Sequence, residues 1–388
     1  MKPAAALRLS LLLPLLLVRT LAADEKPEMT AYRYGAAGRA SEMLGENTEA
    51  MDYFNKSLAI KPDPVIYSNR AKLKLKLKDS AGAIADYDQA IALKPDNVAE
   101  YFALRGGIKS QSGDFTGAVA DFDQSIVLRP DRAVFYNNRA IARANTGDAT
   151  GALADYDRAI LLQPRDVRLL SNRAGARKAK GDLVGALADY DLIVMLEPDD
   201  QAGYSVRADI RLLMDDLNGV LADYNEICEL LPEHPYGYYR RGVVHQALGQ
   251  DQQAVTDYET VERLEQKSSS DLLLYREISL RKLHRGTSFA DLARTVASWP
   301  EGWDKTVGLY LIEALDEPAF LARAKAGNPD GVRGRECSAH YFIGVTKFLA
   351  GNKEAARESL EQCLATGLPA LNEFILAKAA LAGLTAQP

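Results

Sequence analysis

A proline returns at nearly constant spacing through the first two-thirds of this chain, at Pro62, Pro95, Pro130, Pro164, Pro198 and Pro232, in steps of 33, 35, 34, 34 and 34 residues. Each after Pro62 closes a similar string: AIADYDQAIALKPD, AVADFDQSIVLRPD, ALADYDRAILLQPRD, ALADYDLIVMLEPDD and VLADYNEICELLPE follow one another. A fixed period of this length means copies of one supersecondary unit, none able to bury its apolar side without its neighbours. Proline has no N–H to continue a helical ladder, so it stops a helix at each boundary. Two small-residue series run through the units. One comprises Gly38, Ala71, Gly106, Ala140, Ala174, Ala208 and Gly242; the other Ala50, Ala83, Ala118, Ala152, Ala186 and Ala254, with Val220 as the exception. Two antiparallel helices approach closely only where neither side chain intrudes, so the series mark a crossing point. Phe54, Tyr87, Phe122, Tyr156, Tyr190, Tyr224 and Tyr258 fill the gap beside it, and Gly113, Gly147, Gly181 and Gly249 mark the turns between helices.

This pattern resembles the tetratricopeptide repeat. The resemblance implies an all-α fold, a right-handed superhelix (α-solenoid) of helix-turn-helix units. The KLKLKLK run at 72–78 alternates like a strand, but the repeat frame puts it on a first helix. Beyond Pro232 the signature fades while the period continues: steps of 34 from Pro235 reach Ser269, Trp303 and Cys337, and Gly344, Gly351 and Ala356 restore the pattern. The expected organisation is a signal peptide at 1–23 and seven clear units over 24–266. Degenerate units ending in a clear one follow over 267–370, then a capping helix and tail at 371–388. These make ten units from about Ala31 to Ala370 in one continuous superhelix, with Gln266 to Ser270 as a place for a hinge. The string RECSAHYFIGVTKFLAGNKEAARESLEQC, the Trp299-Pro300 pair and a last helix containing Glu373 resemble the end of NlpI-type bacterial envelope scaffolds. This chain lacks their lipidated cysteine and has more repeats.

The first residues follow other rules. Lys2 and Arg8 precede an apolar run from Leu9 to Val18, and Ala22 and Ala23 follow, the layout of a secretory leader cut near Ala22 to Asp24. Its loss removes Lys2, Arg8 and Arg19 and takes the formal charge from -6 to -9. An acidic chain of this kind does not make nucleic acid its main partner. No later stretch reads as a transmembrane helix.

No catalytic constellation is legible. His234, His245, His284 and His340 fall in different units without metal-ligand spacing, and no phosphate loop, nucleophile elbow or dinucleotide fingerprint occurs. The expectation is no metal and no cofactor. The paired aspartates of the ADYD strings, such as Asp155 with Asp157, point apart on a helix and read as a solvated outer face. Cys337 and Cys363 fall at the two ends that an antiparallel hairpin brings together. They are either a disulfide or two small buried residues. Cys228 reads as core.

Mapping the family's concave face onto this sequence exposes Asn69, Lys72, Asn137, Asn138, Arg168, Ser171, Asn172, Lys178, Tyr236, Tyr239 and Arg240 as a partner-binding groove. Asparagine both donates to and accepts from peptide backbone, and the cations favour carboxylates. A second series, Arg70, Arg105, Arg139, Arg173, Arg207 and Arg241, reads as structural, reaching aspartates of neighbouring helices. The YSNR string at 67–70 resembles a chaperone carboxylate clamp. Its other positions hold Gly35, Arg39, Glu100 and Leu104, so the clamp is absent. The function expected is a non-enzymatic protein-binding scaffold in the cell envelope or secreted space. A component of polysaccharide export or carbohydrate binding is the alternative, resting on Tyr236 and Tyr239.

Overall fold

The computed structural model describes residues 26–266, 269–326 and 329–385. The expected leader lies outside these residues, as do Lys267 and Ser268 of the expected hinge. The described residues are helical, without strands, and form two compact units that divide between Asp182 and Leu183.

Unit 1 contains α1 (Pro27–Leu44), α2 (Asn47–Ile60), α3 (Pro64–Lys76), α4 (Ser80–Ala92), α5 (Val98–Gln111), α6 (Phe115–Leu128), α7 (Ala133–Thr146), α8 (Ala149–Leu162) and α9 (Val167–Ala179). Unit 2 contains α10 (Leu183–Leu196), α11 (Gln201–Leu213), α12 (Leu217–Leu230), α13 (Pro235–Ala247), α14 (Asp251–Glu265), α15 (Ser270–Lys282) and α16 (Phe289–Ala297). It continues with α17 (Trp303–Leu311), α18 (Glu317–Lys325), α19 (Pro329–Leu349), α20 (Lys353–Ala365) and α21 (Asn372–Thr385). Helices of 13 or 14 residues are marginal alone in water, so packing between them sustains the fold. The KLKLKLK run is helical through Lys76, and its end turns through Lys78 at φ 65°.

Each hairpin is fixed locally at its turn. Asp79, Asp114, Asp148 and Asp216 cap the second helices, accepting from the N–H of Gly82, Gly117, Gly151 and Gly219. A Cβ on Gly82 would lie 2.0 Å from Asp79 Oδ2, so glycine there keeps the capping carboxylate in place. At the crossing points the small residues have no room to grow. A Cβ on Gly38 would meet the Phe54 ring at 2.6 Å, and one on Gly242 the Tyr258 ring at 2.7 Å. Ala140 and Ala152 are fully buried.

The repeated aspartates overturn one expectation. The first carboxylate of each ADYD string is buried: Asp86, Asp121, Asp155, Asp189 and Asp223 are each at most 3% exposed, and Asp257 continues the series. Around Asp86, Asp121, Asp155 and Asp223 two cations from the preceding helix enclose the carboxylate. Asp86 takes Arg70 at 2.6 Å and Lys74 at 2.9 Å; Asp155 takes Arg139 at 2.5 Å and Arg143 at 2.8 Å; Asp223 takes Arg207 at 2.6 Å and Arg211 at 2.8 Å. Asp121 takes Arg105 and Lys109 in the same way. The second, exposed carboxylate serves the next repeat. Asp88 receives Arg105, Asp123 receives Arg139, Asp157 receives Arg173, and Asp191 receives Arg207. Arg105, Arg139, Arg173 and Arg207 therefore each hold a carboxylate in the repeat before their own, while Arg70 and Arg241 meet an asparagine there, Asn55 and Asn225. The spacing argument that the two carboxylates point apart is correct; placing both in water is not.

The apolar cores of the two units differ. Unit 1 has a string of small clusters, such as Ala50, Phe54, Leu58, Ile66 and Leu73, then Ala71, Ala83, Tyr87, Ala90, Tyr101 and Ile108. In unit 2 one cluster of 24 buried residues runs from Val243 on α13 through Tyr258, Tyr275, Phe320, Tyr341 and Phe342 to Leu384 on α21.

Candidate protein-binding surfaces

Residues four and then three apart share one stripe of a helix. In unit 1 the first helices of the hairpins carry Val65, Asn69 and Lys72 on α3; Glu100, Leu104 and Gly107 on α5; Val134, Asn138 and Ile141 on α7; and Arg168, Asn172 and Gly175 on α9. Val65, Leu104, Val134 and Ile141 are exposed large apolar side chains. A Cβ added to Gly107 or Gly175 would touch nothing, so bare helix backbone lies open on both.

The asparagines expected in the groove form part of this surface and meet one another. Asn172 Nδ2 donates to Asn137 Oδ1 at 2.9 Å, and Asn137 Nδ2 donates to Asn138 Oδ1 at 3.2 Å, linking α9 to α7. Asn69 is partly buried, and its Nδ2 has no hydrogen-bond partner in the chain. Lys72 and Lys178 are exposed, and Ser171 is partly buried. Arg168 is exposed and pairs with Asp166, the cap of its own helix, at 2.8 Å. That bond holds Asp166 below the usual carboxylate range.

In unit 2 the corresponding surface is occupied by the chain itself. Tyr239 and Arg240 lie on α13, and α21 returns to meet them. Asn372 Nδ2 donates to Tyr239 Oη at 3.1 Å, and Arg240 donates to Asn372 Oδ1 at 3.3 Å. Tyr239 also donates to Asp271 at 3.1 Å, and Arg240 to Tyr224 Oη at 2.9 Å. Burial raises the Tyr239 phenol above its ordinary value. The next residue, Glu373, places its carboxyl against Tyr275 and Ser338. Burial raises its pKa above 4.5, with those two hydrogen bonds opposing. Tyr236 remains exposed and shares a 2.9 Å hydrogen bond with Ser205. The two tyrosines of the carbohydrate reading are thus divided, one facing solvent and the other committed to α21.

The Cys337 and Cys363 sulfurs face each other at 3.0 Å, fully buried and unbonded. Burial raises the Cys228 thiol to about 11. Among the described residues no group of three or more histidine, cysteine or acidic side chains is placed to hold a metal, and no helix is long and apolar enough to cross a membrane.

Neither the contact of α21 with α13 nor the division of the surface between two units carries a sequence signal. The buried aspartates do carry one: from Asp86 to Asp257 an arginine stands 16 residues before each.

Comparison with known proteins agrees with this architecture. Tetratricopeptide-repeat family models match residues 31–64, 65–97 and 106–160. Sperm-associated antigen 1 of Mus musculus is 31% identical over 75 residues, which is 19% of this chain and only 8% of that protein. The C-terminal part of a TPR repeat-containing protein from Cytophaga hutchinsonii superposes with a TM-score of 0.54 at 18% identity, over 62% of this chain and 98% of that one. A tetratricopeptide repeat protein from Parabacteroides merdae aligns over 64% of this chain and 98% of its own, with a TM-score of 0.45 and 15% identity. Repeats of this kind mediate protein–protein interaction and are generally non-enzymatic. On the period, the hairpin geometry and these matches together, the chain has the fold of a tetratricopeptide-repeat solenoid and carries such repeats at residues 31–64, 65–97 and 106–160.

Proposed function

We propose that this is an exported, non-enzymatic scaffold that binds extended segments of other proteins across the first-helix surface of unit 1. One observation carries the reading. The arginines of that unit are spent on holding repeats together, while the stripes beside them leave apolar side chains, open helix backbone and the Asn69 Nδ2 without partners in the chain. An extended chain presents this same mixture, a backbone amide at every residue and a side chain on alternate sides. Asn69, Asn138 and Asn172 suit its carbonyls and N–H groups, and Val65, Leu104, Val134 and Ile141 suit its apolar side chains.

The glycines supply the test. A glycine inside a helix costs roughly 0.5–1 kcal/mol relative to alanine, so Gly107→Ala with Gly175→Ala should stabilise unit 1. If a partner backbone lies over those positions, the same double change weakens its binding. Asn138→Ala with Asn172→Ala should also weaken binding, at a stability cost of under about 0.5 kcal/mol per site. A partner captured by crosslinking in the native envelope supplies the ligand for both affinity measurements. Normal affinity in both double variants would remove unit 1 as the binding surface. Export is tested separately by N-terminal sequencing, which should begin near Ala23 or Asp24; intact cytosolic protein starting at Met1 would refute it.

A further inference from the structure

We propose that the surface of unit 2 around α13 is a receptor for an α-helix, occupied in cis by α21. Its partner in trans is a protein helix of the same make-up: an Asn-Glu head, an aliphatic and alanine-rich contact face, and a lysine five residues after the glutamate. The head has a built site. Asn372 meets Tyr239 and Arg240 of α13, and Glu373 meets Tyr275 of α15 and Ser338 of α19. Ser338 accepts from Trp303 Nε1 of α17 at 3.1 Å, and Asp271 fixes Tyr239. Three helices thus converge on the first turn of one, and α17 braces one of the contact residues. The body of α21 buries Ile375, Leu376, Ala377 and Leu384. At its outer edge Lys378 pairs with Asp215, and both remain exposed.

The resident helix fits this seat incompletely. A cleft of about 770 Å³ lies on one side of it, with Leu248, Phe348, Leu349 and Leu376 among its walls. A second of about 380 Å³ lies on the other, walled by Leu212, Leu213, Leu217 and Phe374. Toward these spaces α21 presents Ala379, Ala380, Ala382 and Gly383. Protein interiors pack as densely as organic crystals, so a helix with larger side chains there makes contacts that α21 forgoes. The cis helix holds the seat through its tether, which gives it a high effective concentration without good packing. A short link with Gly367 at φ 65° and Pro369 joins it to α20. A weakly packed, tethered helix in a site with a specific polar head is a displaceable occupant.

The probe is a fluorescein-labelled peptide of residues 371–385, measured by anisotropy against the full chain and two variants. Lys378→Glu sets like charges against Asp215 and loosens the cis helix, so the peptide should bind at least about tenfold more tightly than to the unaltered chain. Ala382→Leu fills the second cleft and should weaken peptide binding by a similar factor. A peptide with both Asn372 and Glu373 replaced by alanine should bind none of the three. Excess peptide should also expose the α21 amides of the unaltered chain to hydrogen exchange, a readout that needs no variant. Equal affinities across the three proteins, or unchanged α21 protection, would overturn the proposal. So would exchange of α21 between two copies of Lys378→Glu, seen as a dimer that excludes peptide, since the occupant would then be a second copy. The variants lie in unit 2 and leave the reading of unit 1 untouched.

Discussion

Unit 1 and unit 2 open with the same repeat and solve different problems with it. In unit 1 small apolar clusters follow one another along the hairpins, buried aspartates clamp the two helices of a hairpin together, and the exposed aspartates tie one hairpin to the next. In unit 2 the aspartate series ends at Asp257, where His245 at 3.7 Å stands in place of the second lysine or arginine. From there a merged aromatic and aliphatic core takes over, reaching the last helix. Charges held in fixed register let a stack continue indefinitely, because every unit offers the next the same contacts. A merged core gives up that openness and closes the stack. The difference explains why the first surface is available and the second is filled.

The comparison can be broken first at Asp155. Asp155→Ala leaves Arg139 and Arg143 partly buried without their shared carboxylate, and removing one partner of such a network costs about 3–5 kcal/mol. Chemical denaturation should show the loss in unit 1. The matching change Asp257→Ala should cost less, because it strands only one permanent cation, Arg241. Equal losses would mean that the network contributes no more than packing does.

Oxidation tests the other unit. Linking Cys337 to Cys363 closes a separation of 26 residues, worth on the order of 3 kcal/mol by chain entropy, less any strain. Non-reduced peptide mapping of protein from an oxidising compartment should find the pair joined, and reduction should lower the melting of unit 2 alone. Two free thiols in such protein would leave the pair as buried core residues.

Ala152→Leu sharpens the comparison from the packing side. Ala152 is fully buried at a helix crossing, and overpacking there should cost roughly 1–3 kcal/mol in unit 1. Hydrogen exchange should rise in α7 and α8 and stay unchanged in α19 to α21.

The smallest effect concerns Glu373. Its folded pKa is raised by burial, so the folded protein holds this proton more firmly than the unfolded chain does. The resulting stability is complete below the ordinary value of 4.5 and is lost as pH rises through the folded value. Glu373→Gln keeps a neutral, hydrogen-bonding head at every pH. It should flatten the decline in α21 protection between acid and neutral pH, a gain of under about 1 kcal/mol at neutrality. An unchanged pH profile would mean that Glu373 does not set it.

How much was legible follows from what repeats. The hairpins, their crossing alanines and glycines, and the closing prolines recur at one period, and the structure has them where that period puts them. The burial of Asp86 and its counterparts was misread because a helix was considered alone; the arginine that neutralises each lies on another helix. Tyr239 and Arg240 were correctly placed on a first helix, yet a helix more than 130 residues further along covers them. Contacts of that range leave no periodic trace. The Asp-to-Gly caps recur as regularly as the prolines and could have been found.

The arginine that grips the repeat before its own has a consequence for how such a gene can lengthen. A copied segment of 34 residues carries one arginine, the aspartate it encloses and the aspartate it leaves for its successor. Inserted among its siblings, the copy receives from the unit before it and gives to the unit after it, and no charge is stranded. Duplication therefore produces a foldable protein in one step. The merged core of unit 2 has no such seam, so growth of this chain by whole repeats is confined to its early part.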